Sequence, residues 1–149
     1  MEHWLSRSEW LIGKDGLQTL HESTVMVAGL GGVGSYAAEM LARAGTGHLI
    51  LIDNDVITHT NRNRQLPALT VTEGRLKTKV MEERLLQINP EIRLTLINEY
   101  LDLESIPTLL SGLRPDYAVD AIDTLSPKIA LICYMMEHKI PLVSAMGAG

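Results

Sequence analysis

Short apolar runs alternate along this chain with segments whose apolar residues fall at helical spacing. Residues 25–28 are apolar and end directly in Gly29, as a buried parallel strand feeding a tight turn does. From Ser35 the spacing becomes helical: Ala37, Met40, Leu41 and Ala44 fall at i, i+3, i+4 and i+7, and Gly45 is placed to end the helix. A second apolar run over residues 48–52 ends at Asp53. A strand, a helix and a strand in about 30 residues imply a right-handed crossover and a parallel sheet.

The pattern then loosens. Residues 54–72 are polar and irregular, a long loop of the kind that carries function. A helix is predicted from about residue 73 to 88, with Met81, Leu85 and Ile88 on its apolar face and Asn89-Pro90 as its stop. Ile92, Leu94 and Leu96 alternate with polar residues as in a half-buried strand. A weak helix near residues 103–113 and a buried strand over 117–122 follow, the latter running into Asp123. Ser126-Pro127 suits the cap and first turn of a helix whose apolar face holds Ile129, Ile132, Cys133 and Met136. A last strand is expected at 141–144. Residues 1–22 read as an amphipathic leader, and 23–149 as one α/β domain with a Rossmann-like, doubly wound, mostly parallel sheet and helices on both faces. Ending on Gly147-Ala148-Gly149, the chain reads as cut where a loop would begin.

Composition narrows the classes. At 149 residues and 46% hydrophobic, with no Phe, the core must be aliphatic. A net charge of -5 argues against a dedicated nucleic-acid surface in this segment, though not against a nucleic-acid substrate. One Cys excludes an internal disulfide and a multi-cysteine zinc cage, and the scattered His residues show no ligand spacing. No apolar run approaches the roughly 18 residues of a membrane span, so no membrane role and a cytoplasmic location are expected.

The candidate chemistry begins at Gly29-Leu30-Gly31-Gly32-Val33-Gly34, a G-x-G-x-x-G loop between a strand and a helix. Gly29 permits the sharp turn, Gly31 lets backbone approach a phosphate, and Gly34 lets the helix close on the strand. The helix start offers free N–H groups to an anion. Asp53 is a ribose acceptor or, alternatively, a turn former. Downstream, Asn61, Arg62, Asn63, Arg64 and Gln65 form a polar, cationic set that suits a triphosphate better than a nicotinamide dinucleotide. Lys77 is a second candidate phosphate contact, or else a solvated helix charge. Asp123, at a strand's C-terminal end, is the candidate Mg²⁺ ligand. An NAD-dependent oxidoreductase domain with the same glycine loop remains the alternative of a different class.

Together these motifs resemble the ThiF/MoeB/HesA superfamily of ubiquitin-activating-like enzymes. The matching positions are Gly29, Gly31 and Gly34; Asp53 and Asp55; Asn61, Arg64 and Gln65; Lys77; and Asp120 with Asp123, while Gly32 within the loop joins the expected nucleotide-binding residues. The resemblance implies an enzyme that adenylates a carboxylate with ATP and Mg²⁺. It assigns the ribose to Asp53, the phosphates to Asn61, Arg64 and Lys77, and the metal to Asp123. For Asp55 it implies no clear role. The segment Trp4-Leu5-Ser6-Arg7 is similar to the family segment that sends an arginine into a partner subunit's ATP site, which makes a homodimer the expected species and places Arg7 with Arg64, Lys77 and Asp123 in the catalytic set. Residues 4–13, 61–69 and 120–123 are most similar to members that act on threonylcarbamoyladenosine in tRNA; the alternative substrate is the C-terminal glycine of a ubiquitin-like sulfur carrier.

The remaining singled-out residues take plainer readings. Cys133 and the methionines at 135, 136 and 146 are expected to pack in the core. Lys79 reads as a solvated charge, Arg62 equally as a phosphate contact or a loop charge, and Asp120 as structural.

Overall fold

The apolar runs line up side by side in one sheet. The structure, a computed structural model, describes residues 2–146. Strands β1 (Thr24–Ala28), β2 (His48–Ile52), β3 (Arg93–Ile97), β4 (Tyr117–Asp120) and β5 (Leu142–Ser144) pair in the order β3-β2-β1-β4-β5, each pair parallel. Helices α2 (Gly34–Ala44), α3 (Lys77–Ile88), α4 (Ser105–Leu109) and α5 (Leu125–Glu137) connect the strands. Because successive strand residues face opposite sides, two cores form. Val25, Val27, Leu49 and Leu51 meet Ala38 and Ala42 of α2 and Met81 and Leu85 of α3. Met26, Ala28, Ile50 and Ile52 meet Ile106, Leu110, Ala130, Leu131 and Met135 on the other face. The expected α/β sheet with helices on both faces is the one observed.

The chain's first segment is a helix, α1 (Ser6–Glu22), with a non-helical break at Gly13 (φ 75°). No residue of α1 is buried, yet its end closes on the α2–β2 turn: a Cβ at Gly47 would lie 1.7 Å from the His21 carbonyl oxygen. Gly45 ends α2 in the left-handed region (φ 97°), as its position predicts.

Several expected faces are rotated. On α2, Ala38 and Ala42 point inward and Met40 is exposed, because small residues let the helix approach the sheet closely. On α5 the buried stripe is Pro127, Lys128, Ala130, Leu131 and Met135, while Ile129, Cys133 and Met136 lie outside. That helix is apolar nearly all round, so periodicity does not choose a face. Cys133 is therefore not a packed core thiol; Met135 is buried, whereas Met136 and Met146 are exposed. Helix α3 starts at Lys77 and not near residue 73, because residues 73–75 stay in a turn and Val56 bridges antiparallel to Leu76. Within the loop at 54–72, residues His59–Asn63 form a 3-10 helix. Ser126 and Pro127 fall inside the first turn of α5, with Thr124 at its cap position. The predicted end at Gly147-Ala148-Gly149 lies outside the described residues.

Helices α2 and α3 are braced by charge. Arg43 approaches the carboxylate of Glu39 at 2.9 Å, and Arg84 reaches the same group from α3. Glu39 is only 5% exposed. The Arg84 hydrogen bond, aided by Arg43, holds its carboxyl below the usual glutamate range.

Candidate nucleotide site

A cleft of about 510 Å³ opens at the C-terminal ends of β1, β2 and β4, where the chain order in the sheet reverses. Open α/β sheets bind ligands at such a switch point, and the volume lies in the range of small-molecule sites. The glycine loop forms one wall. Gly29 (φ 89°) adopts a backbone shape that L side chains avoid, and a Cβ there would lie 2.6 Å from the Ala121 carbonyl oxygen. At Gly34 a Cβ would lie 1.6 Å from the Gly29 oxygen, so only glycine lets α2 start where it does. Gly31 differs. A Cβ there would make only ordinary contact, 3.5 Å from the Gln65 amide nitrogen, so its bareness serves the cleft more than the fold. Among the described residues, the N–H groups of Gly31, Gly32 and Val33 are given to no protein acceptor.

Asp53 secures this loop. One carboxylate oxygen accepts the Leu30 N–H at 2.7 Å and the other accepts the Asp55 N–H at 2.8 Å. Burial pushes the Asp53 carboxyl above the usual aspartate range, with the two N–H donors and the charge of Lys77 opposing that shift. Asp53 is thus a loop fastener, and it still lines the cleft.

Two cations line the same cleft as the glycine loop. Lys77 is buried, with only 5% of its surface exposed, which removes its reading as a solvated charge; its ammonium sits 3.1 Å from Asp55. Arg64 lines the cleft with its guanidinium held by Asn63 at 2.9 Å and the Thr60 carbonyl at 3.3 Å. Gln65 is buried beside Gly31, and its side-chain oxygen has no hydrogen-bond partner among the described residues. A buried acceptor left unpaired costs about 1–3 kcal/mol and is ordinarily matched by a ligand or water. Asp123 is exposed in the cleft lining, and among the described residues its carboxylate accepts one side-chain hydrogen bond, from the Thr124 hydroxyl at 3.4 Å.

Other expected residues stand apart. Asn61 does not line the cleft; its side-chain oxygen caps the 3-10 turn by accepting the Thr58 N–H at 2.9 Å. Arg62 pairs with Glu73, Lys79 with Glu82, and Arg7 is exposed on the first turn of α1. Asp120 is fully buried and paired with Lys128 at 2.7 Å. Sequence reasoning missed Glu99, Tyr100 and Leu101 after β3, and Ile122, Thr124 and Ala145. Their only signal was position, just past strand ends.

For a metal the donor set is sparse: no group of three or more His, Cys, Asp or Glu is gathered for one among the described residues. The exposed carboxylates of Asp123 and Glu99 both line the cleft, and one such group fits Mg²⁺ whose other ligands are phosphate oxygens and water. The glycine cradle and the two cations likewise fit a phosphorylated nucleotide.

Fold and site define an open, parallel α/β domain with a glycine-loop cleft at its switch point. A match to the ThiF family spans residues 5–149, and the chain belongs to that family. It is 46% identical over 149 residues to the tRNA threonylcarbamoyladenosine dehydratase of Bacillus subtilis, covering 99% of this chain and 58% of that protein. The crystal structure of the Escherichia coli tRNA N6-threonylcarbamoyladenosine dehydratase in complex with ATP superposes with a TM-score of 0.94 at 43% identity, over 97% of this chain and 59% of that one. The sulfur carrier protein ThiS adenylyltransferase of E. coli is 35% identical over 138 residues, 93% of this chain and 54% of that protein. The chain thus spans a little over half the length of these relatives. No helix of the described residues is long and apolar enough to cross a membrane.

Proposed function

We propose that this chain is the ATP-binding part of an enzyme that adenylates a carboxylate, the substrate being the threonylcarbamoyl group of modified adenosine in tRNA, which then cyclises. The observation that carries the reading is the cleft itself. Two cations, one of them a nearly buried lysine, line the cleft together with the glycine loop and the exposed carboxylate of Asp123. Identity of 46% and 45% to tRNA threonylcarbamoyladenosine dehydratases along nearly the whole chain supports the tRNA substrate.

In this reading the N–H groups of Gly31 and Gly32, with Arg64 and Lys77, take the phosphate oxygens, and Asp123 holds Mg²⁺. ATP supplies the activated α-phosphorus and a pyrophosphate leaving group. The chain's contribution is to hold the triphosphate in line with the attacking carboxylate and to neutralise charge that develops on it. Asp53 keeps the glycine loop in shape and offers its remaining lone pairs to the ribose. Leu101 and Ile122 give the cleft an apolar wall for the base. Arg7 acts in trans in a cytoplasmic homodimer, reaching the partner's cleft from α1.

The test is carboxylate-dependent exchange between ATP and labelled pyrophosphate in the full-length protein, with threonylcarbamoylated tRNA as substrate. Exchange with that tRNA supports the reading. Exchange only with a ubiquitin-like carrier moves the substrate to the sulfur-transfer branch, and no ATP binding removes the reading altogether.

A further inference from the structure

A second polar cluster lies beneath the cleft floor, and it is fully paired. The Lys128 ammonium donates to Asp120 Oδ2 at 2.7 Å, to the Ala145 carbonyl at 2.9 Å and to Ser144 Oγ at 3.4 Å. The Ser144 hydroxyl donates to the same Asp120 oxygen at 2.6 Å, and Asp120 Oδ1 accepts the Ile122 N–H at 3.1 Å. Asp120 is 0% exposed and Lys128 5%. Asp120 ends β4 and Lys128 stands in the first turns of α5, so the pair closes the segment 121–127 at both of its ends. That segment contributes Ala121, Ile122, Asp123, Thr124 and Pro127 to the cleft.

Two further contacts tie the segment to the rest of the floor. The Ala121 N–H donates to the Ala28 carbonyl at 2.8 Å, and Ala145, which also lines the cleft, donates its N–H to the Asp120 carbonyl at 2.9 Å. The Ala121 carbonyl is the group against which Gly29 must stay bare. A shift of the segment would therefore move Asp123 and press on the glycine loop together.

A buried ion pair often gives no more stability than well-packed apolar side chains of the same volume, because both charges lose their hydration. What such a pair does supply is direction: an ammonium with its donors committed to three oxygens on and just after β4 and β5 permits one placement of the α5 start. We propose that Lys128 is a positioning residue. Through Asp120 it straps the 121–127 segment so that Asp123 faces the glycine loop. The part that concerns Asp123 rests on the adenylation reading above; the strap itself does not.

The experiment compares full-length wild type with Lys128→Met and with the double variant Lys128→Met/Asp120→Asn. The single variant leaves a buried carboxylate unpaired and loses thermal stability, or fails to fold. The double variant leaves no charge behind, and the introduced amide can still accept from the Ile122 N–H and donate to Ser144, so its melting temperature returns close to wild type. In that folded double variant, amide hydrogen exchange in residues 121–127 is expected to be at least about 10-fold faster than in wild type without any ligand. The kcat of ATP–pyrophosphate exchange is expected to fall about 10- to 100-fold with KM for ATP changed less than about 3-fold, the signature of a lost arrangement in the transition state. A double variant with wild-type amide protection and wild-type kcat overturns the proposal and leaves the pair a stability element. If wild type itself shows no exchange reaction, the functional reading fails and the amide protection of 121–127 alone decides the strap.

Discussion

Lys77 is held by one residue at two points: its backbone N–H donates to the Asp55 carbonyl at 3.1 Å, and its ammonium lies 3.1 Å from the Asp55 carboxylate. The first contact seats the start of α3 and the second aims the cation along the cleft. Asp55 had no clear role from sequence, and this double contact supplies one. Lys77→Ala is expected to lower ATP affinity at least about 10-fold, the scale of a lost charge-assisted hydrogen bond, with the fold retained. Asp55→Asn keeps the backbone contact and should weaken ATP binding less than Lys77→Ala. Isothermal calorimetry on both variants and their double checks this. Additive losses would mean that Asp55 does not act through Lys77.

The two glycines of the loop separate folding from binding. Gly34→Ala puts a methyl 1.6 Å from a backbone oxygen, so the protein should fail to fold or lose about 3 kcal/mol or more. Gly31→Ala meets only the Gln65 amide at 3.5 Å, so its unfolding free energy should change by less than about 1 kcal/mol. Its ATP affinity should nevertheless drop at least about 10-fold if a phosphate approaches the Gly31 backbone. Chemical denaturation and nucleotide titration of the same preparation read both effects.

Asp53→Ala removes the acceptor of the Leu30 and Asp55 N–H groups and the proposed ribose contact. A loss of about 1–3 kcal/mol, roughly 5- to 150-fold in ATP affinity, is expected. An unchanged dissociation constant would leave Asp53 as a turn former alone.

Glu39 gives a pH dependence with a definite sign. Its folded carboxyl titrates below the ordinary glutamate value of 4.5, chiefly through the Arg84 hydrogen bond. The stability it contributes is therefore present above 4.5 and lost as pH falls through its lower folded value. Glu39→Gln should cost about 1–2 kcal/mol at neutral pH, and the gap to wild type should shrink steadily below pH 4.5. A gap that stays constant as the solution is made more acidic would show that the charge is not what braces α2 to α3.

Arg7 acting in trans is tested by mixing subunits. Arg7→Ala and Asp123→Ala homodimers should each be nearly inactive in the full-length protein. A mixed dimer collects both defects in one site and leaves the other intact, so mixing should restore up to about half of the wild-type activity, the expectation for an arginine finger delivered by a partner. Formed heterodimers without recovered activity would return Arg7 to a solvated charge on α1.

By itself the sequence determined the sheet and the address of the site. Residues 25–28 running into Gly29, and 48–52 into Asp53, mark parallel strands whose ends meet, because a period-free apolar run must be buried on both faces and a G-x-G-x-x-G loop has few other uses. Those are local properties of the chain. Tertiary structure decided whatever depended on a distant neighbour. It chose Lys128 and Leu131 over Ile129 and Met136 as the inner face of α5, since a helix apolar all round carries no orientation until the sheet and its own buried carboxylate, Asp120, select one. It buried Lys77 against Asp55 across 22 residues of sequence and turned Asn61 from the cleft to cap a 3-10 turn. Pairings of this kind are set by which strand ends the fold brings within hydrogen-bonding distance, and no window of sequence contains both partners and the geometry between them.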